Sequence, residues 1–202
     1  PDTLYLHEPD IVDRGDDLLP FWFENELTER ELENARLYLT RLCAQRNLRA
    51  VGTRPVFPKN YRNALSSGLR TSMIYSGKLI GRGFPGVEGK IAIPDLSLGA
   101  ARASMVIKSV SALGRAEALL RGAGRPIQPV LLLRNPCAIV QSFLDGVRMG
   151  AMSPPPGISK LLKTRSARRL NAEGVLDQSD MVDRLAWGWI LANAEAHAAI
   201  TA

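Results

Sequence analysis

Val130-Leu131-Leu132-Leu133-Arg134-Asn135-Pro136, continuing as Cys137-Ala138-Ile139-Val140-Gln141-Ser142, reads as the passage from a buried strand into a helix. Four consecutive apolar residues suit a strand of a parallel sheet covered on both faces. The strand stops at an arginine. Asn135 is a good N-cap and Pro136 suits the first helical turn. Ligands of open α/β sheets bind at the carboxyl ends of strands. Arg134 then stands where an anion would be held, with a guanidinium fork matched to phosphate. Ser142, eight residues on, can add a hydroxyl to the same anion. The competing reading is an arginine that pairs with a nearby carboxylate.

Working outward, a second strand is expected over 104–109, a helix over 111–121 ended by Gly122, the strand just described over 129–134, and a helix over 136–147. This βαβα run predicts an α/β fold, a parallel sheet flanked by helices, with a right-handed crossover. Residues 3–8 read as a further short strand. Thr28-x-x-Glu31 is a capping box opening a helix that carries Leu32, Ala35, Leu39, Leu42 and Cys43 at helical spacing. Residues 180–200 form a long helix with Met181, Leu185, Trp189, Ala192 and Ala196 on one face. From 52 to 95 the chain is rich in Gly, Pro, Ser and Asn and reads as an irregular insertion or acceptor-side loops holding short elements. Ser153-Pro154-Pro155-Pro156-Gly157 breaks the chain, and 159–170 is a basic stretch, either helix or lid.

Arg134-Asn135-Pro136 with Ser142 after an apolar strand resembles the 3′-phosphate signature of the sulfotransferases. The Lys108-Ser109 strand before it and Tyr5-Leu6-His7-Glu8-Pro9 near the start resemble further segments of that family. The likeness covers most of 1–12 and 103–150. It implies a P-loop NTPase-like sulfotransferase fold. It also implies 3′-phosphoadenosine 5′-phosphosulfate as sulfuryl donor, with Arg134 and Ser142 on its 3′-phosphate. A hydroxyl or amine of a small molecule, glycan or lipid is the implied acceptor. The family's other signature, G-x-x-R-S-G-T around the 5′-phosphosulfate, does not occur in these residues. The expectation is therefore a single, incomplete sulfotransferase-like domain over 1–202, truncated at both ends. The alternative is a nucleotide- or glycan-binding module of the same fold without turnover.

Individual residues follow from chemistry. Sulfuryl transfer to an alcohol needs a base for the hydroxyl proton. Glu8, at a strand end before Pro9, is the candidate, and a loop-fixing ion pair is its competitor. His7 is a rival, but strand alternation points it to the opposite face. Lys108 ends its strand where a cation can stabilise charge on the sulfuryl group; a structural ion pair is the competitor. Ser109 either binds phosphate or caps the helix at 111.

The remaining signals are broad. The chain has 202 residues, enough for a real core. A net charge of +6, from 26 Lys and Arg against 20 Asp and Glu, suits an anionic ligand. The cluster Lys160, Lys163, Arg165, Arg168 and Arg169 lacks interleaved aromatics, so nucleic acid is not the expected partner. Two histidines give no zinc spacing, so no metal is expected. No apolar run reaches membrane-spanning length. Cys43 and Cys137 read as two thiols, which leans to a reducing, cytoplasmic setting. Gly81-Arg82-Gly83-Phe84-Pro85-Gly86 matches a dinucleotide-binding string but lacks its strand–turn–helix setting and reads as a loop.

Overall fold

A computed structural model describes residues 3–52, 59–84, 86–94, 104–153, 158–174 and 180–202. The fold is mixed α/β, mostly helical, with one two-stranded parallel sheet. The elements run β1 (Thr3–His7), α1 (Pro9–Val12), α2 (Glu29–Ala44), α3 (Leu48–Val51), α4 (Ala64–Gly83), β2 (Ser104–Lys108), α5 (Ala116–Gly122), α6 (Pro136–Arg148), α7 (Arg165–Arg169) and α8 (Met181–Thr201). They fall into two compact units. One comprises Pro1–Gly15 and Tyr38–Ser111, the other Asp16–Leu37 and Ala112–Ala202.

In the first unit β1 and β2 pair in register from Thr3 with Ser104 to His7 with Lys108. Alternation along β1 buries Leu4 and Leu6 on one face. Leu6 joins Leu48, Ala50, Val51, Ile74 and Ile93 in the core, with Met105 and Ile107 of β2 against it. The short helix α3 is fixed at both ends. The Asn47 side chain accepts from the Ala50 amide at 2.9 Å, and buried Arg70 donates to the Val51 carbonyl at 2.5 Å. Gly15 adopts φ +61°, and a Cβ there would fall 2.4 Å from the Tyr38 ring. Only glycine allows both that backbone and that approach.

The helix α4 corrects the expectation of short elements within 52–95. It starts where the Asn63 side chain accepts from the Ser66 amide at 2.8 Å. The sequence hides it because its inner face carries Arg70, Ile74 and Gly77, while Leu65, Leu69, Leu79 and Ile80 lie exposed. The apolar period therefore marks the wrong side. Residues 53–58, 85 and 95–103 of that segment lie outside the described residues.

In the second unit α8 carries Leu191 into a core with Leu161, Ala167 and Ala172, flanked by Trp22, Ile158, Leu162 and Trp187. The basic stretch 159–170 is ordered structure here, a turn at Leu161–Lys163 followed by α7. The Thr164 hydroxyl caps α7 by accepting from the Ala167 amide, and the Ser166 amide donates to Glu195 of α8 at 2.7 Å. Residues 154–157 of the expected chain break lie outside the described residues. Arg115 is 3% exposed, yet fully engaged. It donates to the Pro20 and Leu19 carbonyls, pairs with Asp16 at 2.8 Å and lies over the Phe21 ring.

Two elements of the expected βαβα run differ. Residues 129–134 form neither strand nor helix, and Val130, Leu132 and Leu133 are exposed, Leu132 by 80%. An apolar run specifies a strand only where a partner backbone receives it, and among the described residues none pairs with this one. The helix expected from 111 begins at Ala116, after a tight turn at Leu113–Arg115, and includes Gly122. A Cβ on Gly122 would meet Ala35 of α2 at 2.7 Å, so this glycine serves close packing instead of termination.

Arg115→Met should lower the unfolding free energy by about 2 kcal/mol, because the buried Leu19 carbonyl and the part-buried Pro20 carbonyl lose their donor. Urea denaturation at neutral pH measures the loss.

Candidate functional site

The carboxyl ends of β1 and β2 bring Glu8 and Lys108 together across 100 residues of chain. The parallel register places His7 opposite Lys108. One more ladder bond, from the Glu8 amide to the Lys108 carbonyl at 2.7 Å, holds the next residue. The backbone then turns sharply. Glu8 takes φ 49° and ψ 50°, left-handed values costly to a residue with a Cβ, and Pro9 opens α1. The turn aims the Glu8 carboxylate back at the strand ends, where the Lys108 ammonium donates to Oε1 at 2.5 Å.

The same turn overturns the expectation that His7 and Glu8 face apart. Alternation holds only while both residues are in the strand, and Glu8 has left it. His7 Nε2 lies 3.5 Å from Glu8 Oε1. The Tyr5 hydroxyl sits 3.1 Å from His7 Nδ1. With Tyr5 donating to Nδ1, the ring proton is assigned to Nε2 and faces the carboxylate. Tyr5, His7, Glu8 and Lys108 thus form one polar row along the sheet end.

The hydrogen bond from Lys108 holds the Glu8 carboxyl below its ordinary value of 4.5, and the charges of His7, Lys108 and Arg49 act in the same direction against partial burial. Glu8 reciprocates by raising Lys108 above its usual 10.5. Glu8 is 17% exposed and Lys108 42%, so a ligand from solvent can reach the ammonium.

Ser109 does not cap a helix at 111, because no helix starts there. Its hydroxyl donates to Asp10 Oδ2 at 2.5 Å, and the Ser111 amide donates to the same oxygen at 3.1 Å. Asp10, which sequence reasoning did not single out, is 3% exposed, and its other oxygen is buried without a partner among the described residues. Asp10 thus engages the Ser109 hydroxyl in this arrangement.

The Arg134 segment belongs to the other unit, so the expected site residues divide between the two: Glu8, Lys108 and Ser109 in the first, Arg134 and Ser142 in the second. Locally the expected helix start is present. The Asn135 side chain accepts from the Ala138 amide at 3.2 Å, and Pro136 is the first residue of α6. Arg134 is exposed and, among the described residues, makes no salt bridge, so the expected competitor, a carboxylate partner, is not what holds it. It stands before a helix and not at a strand end, which corrects the expected setting. Ser142 is exposed on α6.

Compared with known proteins, the chain matches no family model, no curated protein and no solved structure. Among the described residues no helix is long and apolar enough to cross a membrane. Nor is any group of three or more His, Cys, Asp or Glu side chains there placed to hold a metal ion. Cys43 is half-buried and Cys137 exposed, both as thiols.

Glu8 gives the stability a defined pH dependence. Its folded pKa is depressed, so its contribution is complete above the unfolded value of 4.5 and lost as pH falls through the folded one. Glu8→Gln should therefore remove part of the acid-limb loss of unfolding free energy, with Lys108→Met doing the same. Chemical denaturation at neutral pH and below 4.5 reads the difference.

Proposed function

We propose that the chain carries out sulfuryl transfer from 3′-phosphoadenosine 5′-phosphosulfate to an acceptor hydroxyl or amine, in the manner of a P-loop-like sulfotransferase fold. The observation that carries this is the Glu8–Lys108 pair, a carboxylate and an ammonium in contact at the carboxyl ends of two parallel strands. That edge is where open α/β sheets place their chemistry. The Arg134 guanidinium, without a carboxylate partner among the described residues and followed by a capped helix start, supports the 3′-phosphate role that the sulfotransferase resemblance gives it.

The chemistry assigns each group a task. An acceptor hydroxyl oxygen attacks the sulfur, and the bond between sulfur and the donor's bridging oxygen breaks. The bridging oxygen keeps the electron pair and leaves with adenosine 3′,5′-bisphosphate. The hydroxyl proton passes to Glu8. A carboxylate held at low pKa is a weak base, so the step requires Lys108 to move off Glu8 as the proton arrives. The freed ammonium then faces the oxygen on which charge develops. Ion-pair exchange thus couples the base to the cation. Arg134 and Ser142 act at the 3′-phosphate and anchor the nucleotide away from the reacting sulfur.

The second reading is a nucleotide- or glycan-binding module without turnover. The short Glu8–Lys108 contact favours it, because two groups that neutralise each other also serve simply to close a sheet end.

Two measurements separate them. Adenosine 3′,5′-bisphosphate at about 100 times its Kd should stabilise the protein by about 2.7 kcal/mol, and Arg134→Ala should abolish the thermal shift without changing the unliganded Tm. A wild-type protein that shows no shift removes the nucleotide site. In a sulfuryl-transfer assay, Glu8→Gln should lower kcat by about 10²-fold or more while leaving nucleotide affinity in place. Nucleotide binding with no turnover in the wild type selects the binding module.

A further inference from the structure

A second charged feature lies in the first unit, beside the sheet end. Two adjoining hollows, of about 430 and 370 Å³, share Arg49, Arg82 and Glu88 in their walls. Lys78 and His7 line one of them, and Gly81, Gly86 and Gly89 the other. The local structure brings these residues together. Lys78 and Arg82 are four residues apart on α4, hence on one face. Arg49 comes from α3, whose position is set by Asn47 and Arg70. Gly86, at φ +86°, turns the chain so that the tight turn Val87–Gly89 presents Glu88 beside the end of α4. A Cβ on Gly81 would fall 2.7 Å from Glu88 Cγ, so this glycine leaves room for the carboxylate.

Three cations and one carboxylate therefore line a single recess. Among the described residues Arg49, Lys78 and Arg82 form no salt bridge, with Glu88 or with any other carboxylate. Complementing the negative end of α4 accounts for Arg82, in its last turn. It does not account for Arg49, which stands on another helix and faces the same recess. Three cations against the one carboxylate of Glu88 leave a net positive wall, and an oxyanion between them lowers the repulsion of like charges. Arginines in particular match phosphate, sulfate and carboxylate oxygens with paired donors. The named walls include no Phe, Tyr or Trp, His7 supplies their one ring, and Val12 and Leu48 are their only sizeable apolar side chains. The recess thus suits a polar ligand and not a flat or greasy one. Its volume is within the range of small-molecule sites, and Glu88 is an acceptor for hydroxyl groups.

We propose that this recess binds a small hydroxylated molecule carrying an oxyanion, of the sugar-phosphate or acidic-sugar class. Arg49, Lys78 and Arg82 hold the anion and Glu88 accepts from a hydroxyl. His7 and Arg49 also act on Glu8, so the ligand lies next to the strand-end pair, where an acceptor for transfer would have to be.

Calorimetric titration with glucose 6-phosphate, glucose and inorganic phosphate tests this on the whole chain. Glucose 6-phosphate should bind with a Kd of about 1 mM or tighter, and glucose at least about tenfold more weakly. The double variant Arg49→Ala/Arg82→Ala should weaken glucose 6-phosphate at least about tenfold, with an unchanged unliganded Tm because both side chains are exposed. Lys78→Gln gives a milder loss of the same kind. Arg134→Ala should bind glucose 6-phosphate as the wild type does, even if it has lost adenosine 3′,5′-bisphosphate. Equal affinity in the wild type and the double variant overturns the proposal, as does a loss that follows Arg134 instead. Inorganic phosphate binding as tightly as the sugar ester overturns the role of Glu88 and the sugar class.

Discussion

The pairing of β1 with β2 is the constraint on which the first unit turns. It is the sole sheet among the described residues, and it joins segments a hundred residues apart. Closing so long a loop is entropically expensive, though the cost grows only slowly with length. Burial of Leu6 among Leu48, Ala50, Val51, Ile74 and Ile93 offsets it. Without that register Lys108 has no reason to meet Glu8, and the polar row from Tyr5 to Lys108 does not form. Strand ends bound to a core are stiff, so the groups they carry are held in place before any ligand arrives.

Much of this was legible in the sequence where a local rule acts. Thr28 and Glu31 form their reciprocal cap, with the Thr28 amide donating to Glu31 at 2.7 Å. Asn135 and Pro136 open α6 as their chemistry requires. Both short strands start where they were expected, at 3 and 104, and each ends one residue sooner. What failed needed information from elsewhere in the chain. Val130–Leu133 has the composition of a core strand, but composition names no partner. The helix α4 turns its leucines outward and an arginine inward, the reverse of an amphipathic signal. The contact of His7 with Glu8 depends on one left-handed residue, which no period announces.

The candidate site follows the same division. Glu8 and Lys108 could be named because strand ends are where α/β chemistry sits, and the sheet does join them. Each had a structural ion pair as its competing role, Glu8 with an arginine and Lys108 with an unnamed carboxylate, but their contact with one another was not foreseen. Asp10 went unnoticed because a carboxylate just after Glu-Pro reads as loop. Burial gave it Ser109 as a partner, and that changed the meaning of Ser109 as well. Lys78 and Arg82 become neighbours only once α4 is known to be a helix. Arg49 joins them through tertiary packing alone.

The exposed run from Val130 to Leu133 has a consequence for the protein in bulk. An apolar, β-prone segment without a backbone partner is a template on which other chains can assemble. Pro129 precedes this one and Arg134 follows it. A proline cannot donate to a growing ladder, and a charge raises the cost of stacking copies side by side. The position of Arg134 thus bears on colloidal stability independently of any ligand.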